Sequence, residues 1–333
     1  MKTICKIHIP GRMTLGLEFP LDNDWSLEGE KKRKKQGRPF GIPDISRHTE
    51  LIQLADKLGF AALWMREVPV YDPNFGDGAQ VFDTLSYLGY VAAITKSIAI
   101  GTAAVVLPLH DPLQLAKAIA TIENLSESRY LFGVGLGDRP VEFPLFGFDF
   151  ENRADRFVLN HEIIKEAWKD ESELHHFFGK TSNGIEIYPK PKNEIPWILA
   201  GRAKQSMDWI AQNMQGWFNY PRDVKDTEIL VREWKNALYD NNQASKPYIS
   251  AFHLNLLKDP DAPFTPHRFG GAVGINGLAS LMRSYELAGV NHMALHLRKS
   301  EIPVDEALKL IAGKVLPHFD AADFKNESIH QDE

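Results

Sequence analysis

The stretch that decides the fold is residues 96–137, which read KSIAIGTAAVVLPLHDPLQLAKAIATIENLSESRYLFGVGLG. Residues 98–107 are almost all apolar and partly β-branched, which is typical of a strand that is covered on both faces. Prolines break this run, a helix is predicted over residues 113–125, and residues 130–134 form a second apolar strand that ends in glycines. Strand, helix and strand in this order make a βαβ unit, so the two strands must be parallel.

The same alternation extends over most of the chain. Six more segments have the composition of strands, at residues 13–20, 60–67, 195–200, 216–220, 248–257 and 289–297. Helices are predicted over residues 48–58, 77–95, 113–125, 153–169, 205–213, 227–239, 278–287 and 304–316. Eight strands that alternate with helices predict an α/β fold of the (β/α)8 TIM-barrel type, and an open doubly wound sheet is the alternative.

Three polar segments interrupt this pattern. Residues 175–193 follow the fourth predicted helix, and the pair Asn183-Gly184 within them indicates an insertion with a hairpin. Residues 259–277 are rich in proline and glycine and predict a long loop before the seventh helix. The run KKRKK at residues 31–35 lies in a polar stretch, so we expect a solvated loop there.

Composition favours one large enzyme domain. The 333 residues are 44% hydrophobic, and neither a repeat nor a linker divides them, so we expect one domain over residues 1–333 with a barrel core at about 13–319. The net charge of −6 argues against a general nucleic-acid or anionic-membrane binder. The single cysteine, Cys5, excludes an intrachain disulfide. Without a secretory segment or a membrane-spanning apolar run, the expected location is cytoplasmic.

A barrel would place the active site where the strands end and the following loops begin. The loop AGRAKQS at residues 200–206 lies at such a place, between a buried strand and a helix. The helix N-terminus, the Arg202 guanidinium and the Ser206 hydroxyl together predict a site for a terminal phosphate.

Other chemistries find little support in the sequence. The glycines Gly133, Gly135 and Gly137 do not have the spacing of a Rossmann fingerprint. His175 and His176 are adjacent and lack a companion carboxylate pattern, so we predict that the chain has no metal site.

Three stretches in order resemble the bacterial luciferase-like monooxygenase family. They are GFAALWMREV at residues 59–68, the stretch 101–137 quoted above, and IPWILAGRAKQSMDWIAQNMQGWF at residues 195–218. The resemblance extends over about residues 13–319. It implies an oxidoreductase that takes reduced FMN from a separate NAD(P)H-dependent reductase and uses O2 to oxygenate a small organic substrate.

The resemblance also implies positions for the flavin. The phosphate would be bound by Leu136 and Gly137, by Arg153 or Arg156, and by Gly201, Arg202 and Ser206. Luciferase has an arginine where this chain has Leu136, so the arginines would carry more of the phosphate binding. A cis peptide between Ala103 and Ala104 would lie against the ring, and Asn219 and Tyr220 would contact its edge.

One departure from the family concerns catalysis. Luciferase has Glu-His after the second strand, and the histidine takes part in catalysis, whereas this chain has Glu67 followed by Val68 and Pro69. Strand alternation directs His296 into the barrel mouth. We therefore take Glu67 and His296 as catalytic candidates. The candidate substrate-binding residues at the same strand ends are Phe19, Arg66, His110 and His253.

Two alternatives stay open at the level of the sequence. Relatives with this fold use a deazaflavin for hydride transfer, and the absent histidine is also compatible with a non-catalytic flavin-binding protein. The family further implies a homodimer, in which residues 80–94 and 113–125 would form the interface.

Overall fold

The computed structural model of the protein describes residues 3–75 and 82–319. Its strands are β1 (Thr14–Glu18), β2 (Ala62–Met65), β3 (Ala99–Thr102), β4 (Val105–Val106), β5 (Tyr130–Gly135), β6 (Trp197–Ala200), β7 (Gly216–Asn219), β8 (Tyr248–Leu256), β9 (Thr265–His267), β10 (Gly270–Val273) and β11 (His292–His296). Its helices are α1 (Leu27–Lys35), α2 (His48–Lys57), α3 (Thr84–Ile94), α4 (Pro112–Leu125), α5 (Glu142–Leu145), α6 (Arg153–Ala167), α7 (His175–Phe178), α8 (Met207–Asn213), α9 (Val224–Asp240), α10 (Ile275–Leu287) and α11 (Val304–Lys314). Short 3-10 helices lie at Ile4–Lys6, Leu107–Leu109, Lys180–Ser182 and Leu316–Phe319.

Eight parallel strands close into a barrel, in the order β1, β2, β3, β5, β6, β7, β8 and β11. The ring closes because β11 pairs with β8 on one side and with β1 on the other. Ala294 of β11 is therefore opposite both Gly16 and Ala251. The predicted TIM barrel is confirmed, and the open doubly wound sheet is excluded.

Near the amino-terminal ends of β1 and β11, the interior of the barrel contains a small hydrogen-bonded group of side chains within an otherwise apolar core. The indole nitrogen of Trp64 donates to His292 Nε2 at 2.9 Å, and the Thr14 hydroxyl lies 2.7 Å from His292 Nδ1. Complete burial lowers the pKa of His292 to about 3, so the ring is neutral at pH 7. Gly16 leaves room for this ring, because a Cβ at residue 16 would lie 2.6 Å from His292 Nε2.

The basic run at residues 31–35 forms the end of helix α1 rather than the loop that we predicted. Ser26 caps the helix by accepting a hydrogen bond from the backbone N–H of Gly29. Acidic residues occupy its first turn and basic residues its last turn, which complements the helix dipole. The helix has no apolar stripe that periodicity could detect.

The insertion at residues 175–193 lacks the predicted hairpin. It contains helix α7 and a 3-10 turn instead, and Asn183-Gly184 follows this turn. Glu186 stabilises the segment. Its carboxylate accepts hydrogen bonds from the backbone N–H and the hydroxyl of Ser172, and it forms an ion pair with Lys190 at 2.5 Å. These side-chain interactions hold the segment in place without a pair of strands, so the hairpin prediction was wrong.

The predicted loop at residues 259–277 also differs in the structure. It contains strands β9 and β10, which form an antiparallel pair, and β10 extends the sheet beside β8. Helix α10 then begins at Ile275, three residues before the predicted start. Gly270 and Gly271 allow the close approach of β10, since a Cβ at residue 270 would lie 2.3 Å from the carbonyl oxygen of His253.

Part of the second predicted helix falls outside the described residues. Helix α3 begins at Thr84, with the Asp83 carboxylate accepting from the backbone of Ser86. Residues 77–81 of the predicted helix, and with them the start of the expected dimer segment 80–94, are not among the described residues. Within the described ranges, none of the helices is both long enough and apolar enough to cross a membrane.

Candidate active site

A cavity of about 460 Å³ opens at the carboxyl ends of the barrel strands. Its volume falls in the range of about 300–1,000 Å³ that is usual for small-molecule and cofactor sites. Small residues from several strands line it, among them Ala103, Ala104, Gly135, Ala200 and Ala251. The cavity therefore occupies the place at which TIM-barrel enzymes carry out catalysis.

Small side chains keep one side of the cavity open for a flat group. A Cβ on Gly135 would meet the Cβ of Ala104 at 3.2 Å, so a larger residue at this position would take up cavity space. The peptide bond between Ala103 and Ala104 is cis, as predicted. At the end of β7, the Asn219 side-chain nitrogen is buried and has no hydrogen-bond partner among the described residues. Small residues and an unpartnered hydrogen-bond donor thus line this cavity, and both suit a planar ring that carries carbonyl groups.

Arg153 and Lys204 line the cavity together with two further cations, Arg66 and Arg139, which face the carboxylates of Glu18 and Glu142. The Arg153 guanidinium lies over the ring of Phe150 at 3.4 Å, and its Nε has no hydrogen-bond partner among the described residues. Gly137 and Gly201 lie in the same wall. Backbone, guanidinium and ammonium groups together suit an anion such as a phosphate.

Leu136, which was also predicted to bind the phosphate, lines the cavity, but the side chains of Arg202, Ser206 and Arg156 do not. Arg202 pairs with Glu233 at 2.5 Å and is about half exposed, at 48% of its side-chain surface. The Ser206 hydroxyl accepts from the backbone of Trp209 and caps helix α8. Arg156 donates to the backbone carbonyls of residues 108 and 110, at 2.7 and 3.0 Å.

Lys204 lines the cavity although it was not among the binding residues predicted from the sequence. Ala203 and Lys204 both have a positive φ, of 49° and 59°, so the backbone turns sharply between Arg202 and the helix. This turn directs Lys204 to the cavity. The sequence did show that the loop holds two cations, but not which of them faces inward.

Glu67, at the end of β2, contacts the cavity and His110 at the same time. Its Oε1 lies 2.8 Å from His110 Nε2, and its Oε2 accepts from the backbone N–H of Val106 at 2.6 Å. Burial lowers the pKa of His110, but the hydrogen bond and charge of Glu67 outweigh this effect and raise the pKa above 6.5. The hydrogen bond and charge of Glu67 therefore favour the protonated form of His110.

Arg66 also lines the cavity, and its Nε donates to Glu18 Oε1 at 2.7 Å. Glu18 is buried at the end of β1 and is a further cavity residue that we did not select. The sequence did contain a signal for Glu18, because it is an acidic residue at the end of an otherwise mostly apolar strand. Phe19, the next residue, contributes instead to a separate cavity of about 20 Å³, which Arg66 also borders.

The two predicted histidines of β8 and β11 stack on each other, with ring centroids 4.3 Å apart. His253 lines the cavity, whereas His296 is 1% exposed and is not among the lining residues. Burial, assisted by the neighbouring His253 and Arg66, lowers the pKa of His296 well below 6.5. His296 is thus a neutral ring that supports His253 at neutral pH.

Glu142 is another cavity residue that the sequence did not reveal. It lies in α5, is 1% exposed and faces Arg139, whose Nη1 is 3.7 Å from its Oε1. Burial raises the pKa of Glu142 to about 7, and the Arg139 guanidinium opposes the shift. Tyr220 lines the cavity as well, next to Asn219.

Known proteins resemble this chain in sequence and in fold. A family model described as luciferase-like monooxygenase matches residues 23–262. A curated relative, the F420-dependent hydroxymycolic acid dehydrogenase of Mycobacterium tuberculosis, is 28% identical over 54% of this chain and 50% of its own length.

Two solved structures share the fold of almost the whole chain. One is an F420-dependent secondary alcohol dehydrogenase, with a TM-score of 0.71 and 14% identity over 93% of this chain and 99% of the other. The second is the oxygenating constituent of 3,6-diketocamphane monooxygenase from Pseudomonas putida with FMN, with a TM-score of 0.66 and 13% identity over 92% of this chain and 98% of the other. Since the family model covers most of the sequence and the barrel agrees with it, this chain belongs to the family of luciferase-like monooxygenases, a group of oxidoreductases.

Proposed function

We propose that the protein is a flavin-dependent monooxygenase that uses reduced FMN and O2 on a small organic substrate. The observation that carries this proposal is the lining of the cavity, which combines small residues with the cations Arg153 and Lys204. Family membership supports the same assignment. A ring with a phosphorylated side chain matches both parts of the cavity.

Each part of the cavity would hold one part of FMN. Ala103, Ala104 and Gly135 would face the ring, and the unpartnered amide nitrogen of Asn219 would donate to a ring carbonyl. Arg153 and Lys204 would bind the phosphate. Reduced FMN supplies the electrons that activate O2, and the protein supplies binding, orientation and exclusion of water.

Glu67 is the group best placed to accept or donate a proton at the substrate. Its carboxylate faces the cavity, and the hydrogen bonds from His110 and the backbone of Val106 fix its orientation. His110 would act through Glu67 as a positioning residue and proton reservoir. In this proposal the Glu67–His110 pair takes over the role of the histidine that follows the second strand in luciferase.

The Glu67–His110 pair also supports a second candidate, hydride transfer between an alcohol and a deazaflavin. Removal of hydride from an alcohol carbon requires that the hydroxyl proton leaves as well, and a hydrogen-bonded carboxylate in the cavity can accept it. The relative and one solved structure described above are F420-dependent dehydrogenases. F420 is therefore the alternative cofactor to test.

Isotopically labelled O2 separates the two candidates. The protein is mixed with photochemically reduced FMN, labelled O2 and a panel of small aldehydes, ketones and thioethers, and the products are analysed by mass spectrometry. A monooxygenase incorporates label into a product. No label in any product, together with alcohol-dependent bleaching of oxidised F420, would reject the FMN assignment in favour of the deazaflavin.

A reductase partner follows from the proposed use of reduced FMN. We propose that a separate NAD(P)H-dependent reductase supplies it, as the family resemblance implies. Adding a flavin reductase, NADPH and FMN to the protein should then replace photochemical reduction in the labelling assay.

A further inference from the structure

Glu142 has a buried carboxyl group, and one of its two oxygens forms no hydrogen bond with the described residues. It begins the short helix α5 after β5, and its side chain forms part of the cavity wall. Its Oε1 has no hydrogen-bond partner among the described residues, and the Arg139 guanidinium, at 3.7 Å, is beyond hydrogen-bond distance. Glu142 is 1% exposed, and a buried carboxylate oxygen that lacks a partner, in a residue that lines the cavity, is a group that a bound ligand can satisfy.

The charges around Glu142 come from two parts of the barrel mouth. Arg139 and Asp138 precede it in the same loop, and Glu67 and Asp72 approach from the end of β2 and the segment that follows. Burial raises the pKa of Glu142 to about 7, Arg139 opposes the shift, and the three carboxylates add to it. Both the acid and the carboxylate are therefore present near neutral pH.

An anionic ligand in this cavity would change the balance between the two forms. Negative charge close to a buried carboxylate disfavours its ionised form, whereas the neutral acid can donate a hydrogen bond to the ligand. Arg153 and Lys204 mark the cavity as a site for such an anion.

We propose that Glu142 is a proton-exchanging ligand residue of the cavity, which takes up one proton from solvent when FMN binds and donates it in a hydrogen bond to the bound flavin. The proton adds to a carboxylate oxygen, and no other bond changes. This inference rests on the proposed flavin site.

Calorimetric titration with FMN, repeated in buffers of different ionisation enthalpy, counts the protons taken up on binding. The titration is run at about pH 8, where the FMN phosphate is already a dianion because its second pKa is about 6. We expect uptake approaching one proton per bound FMN in the wild type and none in Glu142→Gln. Between about pH 7 and pH 8 the wild-type affinity should fall by up to tenfold, and that of Glu142→Gln should stay constant.

Asp138→Asn is the matched control, because Asp138 is an exposed carboxylate in the same cavity wall. It should retain the proton uptake. If Glu142→Gln does not fold, Glu142→Asp takes its place, and the pH at which uptake is half-maximal should move away from the wild-type value.

The possible failures can be told apart. FMN binding without proton uptake, or with uptake that persists in Glu142→Gln, overturns the role of Glu142 and leaves the flavin site intact. Absence of FMN binding to the wild type overturns the proposed function, and this inference with it.

Discussion

Glu67 and His110 are joined by a hydrogen bond of 2.8 Å between Oε1 of the carboxylate and Nε2 of the imidazole. Glu67 comes from the end of β2, and His110 from the segment that precedes α4. One partner lines the cavity, and the other keeps 24% of its side chain exposed. The pair therefore connects the interior of the site with solvent through a single hydrogen bond.

The first prediction concerns the charge of His110. In the wild type its pKa lies above 6.5, because Glu67 outweighs the effect of burial. Glu67→Gln removes the negative charge, so the pKa of His110 should fall below 6.5. NMR titration of the imidazole protons measures this change, and His110→Gln identifies the signal.

The same pair has a consequence for stability. Since the folded-state pKa of His110 is raised, the ionic part of its stabilisation is complete below about pH 6.5 and is lost as the pH rises through the folded-state value. The difference in unfolding free energy between wild type and Glu67→Gln should shrink over that interval. A difference that grows with pH would contradict the proposed pairing.

The second prediction compares two cations of the cavity, Arg153 and Lys204, with Arg202, which does not line it. Lys204→Ala and Arg153→Ala should each weaken FMN binding about tenfold to a hundredfold, since a charge-assisted hydrogen bond contributes roughly 1.5–3 kcal/mol. Arg202→Ala should have little effect, because Arg202 pairs with Glu233 and is half exposed. The dissociation constant for FMN, determined for each of the three variants and for the wild type, tests this prediction.

Riboflavin is the control for this comparison, because it lacks the phosphate. Its affinity should be nearly the same in the wild type, Lys204→Ala and Arg153→Ala. If Arg202→Ala proved the most harmful of the three for FMN but not for riboflavin, the phosphate would lie outside the cavity described here.

The third prediction concerns the ring. Asn219→Leu removes the side-chain donor that has no partner among the described residues, so the hydrogen bond to a ring carbonyl is lost. A neutral hydrogen bond of roughly 0.5–1.5 kcal/mol corresponds to about a twofold to tenfold loss of affinity. FMN and riboflavin should lose the same factor in fluorescence titrations, and an effect on FMN alone would place Asn219 at the phosphate instead.

The fourth prediction concerns the core below the site. In Gly16→Ala the new Cβ would lie 2.6 Å from both the His292 ring and the backbone oxygen of Ala62. Overpacking of this kind costs about 1–3 kcal/mol of unfolding free energy, measurable by urea denaturation. Gly313→Ala, at a helical position with no atom within 4 Å of the new Cβ, should change stability by less than about 1 kcal/mol. Equal effects of the two substitutions would contradict the packing around His292.

The sequence predicted the barrel because its strands are buried on both faces and therefore appear as short apolar runs. Helix α1 was not predicted, because its sequence is almost entirely polar. It is stabilised by the Ser26 cap and by charges that complement its dipole, and it has no apolar periodicity. The strands β9 and β10 were missed because they are short and contain proline and glycine, and because their support comes from pairing of β9 with β10 and of β10 with β8.

The site was harder to predict than the fold. The end of each strand could be located, which placed Glu67, Ala103, Gly137 and Asn219 at the cavity. The direction of side chains in loops depends on backbone angles, so the choice between Arg202 and Lys204 required the left-handed turn at residues 203 and 204. Strand alternation directed His296 inward, but it could not show that His253 lines the cavity while His296 is buried against it.

Fluorescence titration of the wild-type protein with FMN, beside riboflavin and F420, measures directly whether the cavity is a phosphorylated-flavin site. Saturable quenching that corresponds to one FMN per chain is expected, with riboflavin bound at least about tenfold more weakly because Arg153 and Lys204 have no phosphate to bind. Reduced FMN should bind under anaerobic conditions even if the affinity for oxidised FMN is modest. Absence of saturable binding by either form of FMN, with F420 binding under the same conditions, would contradict the FMN assignment.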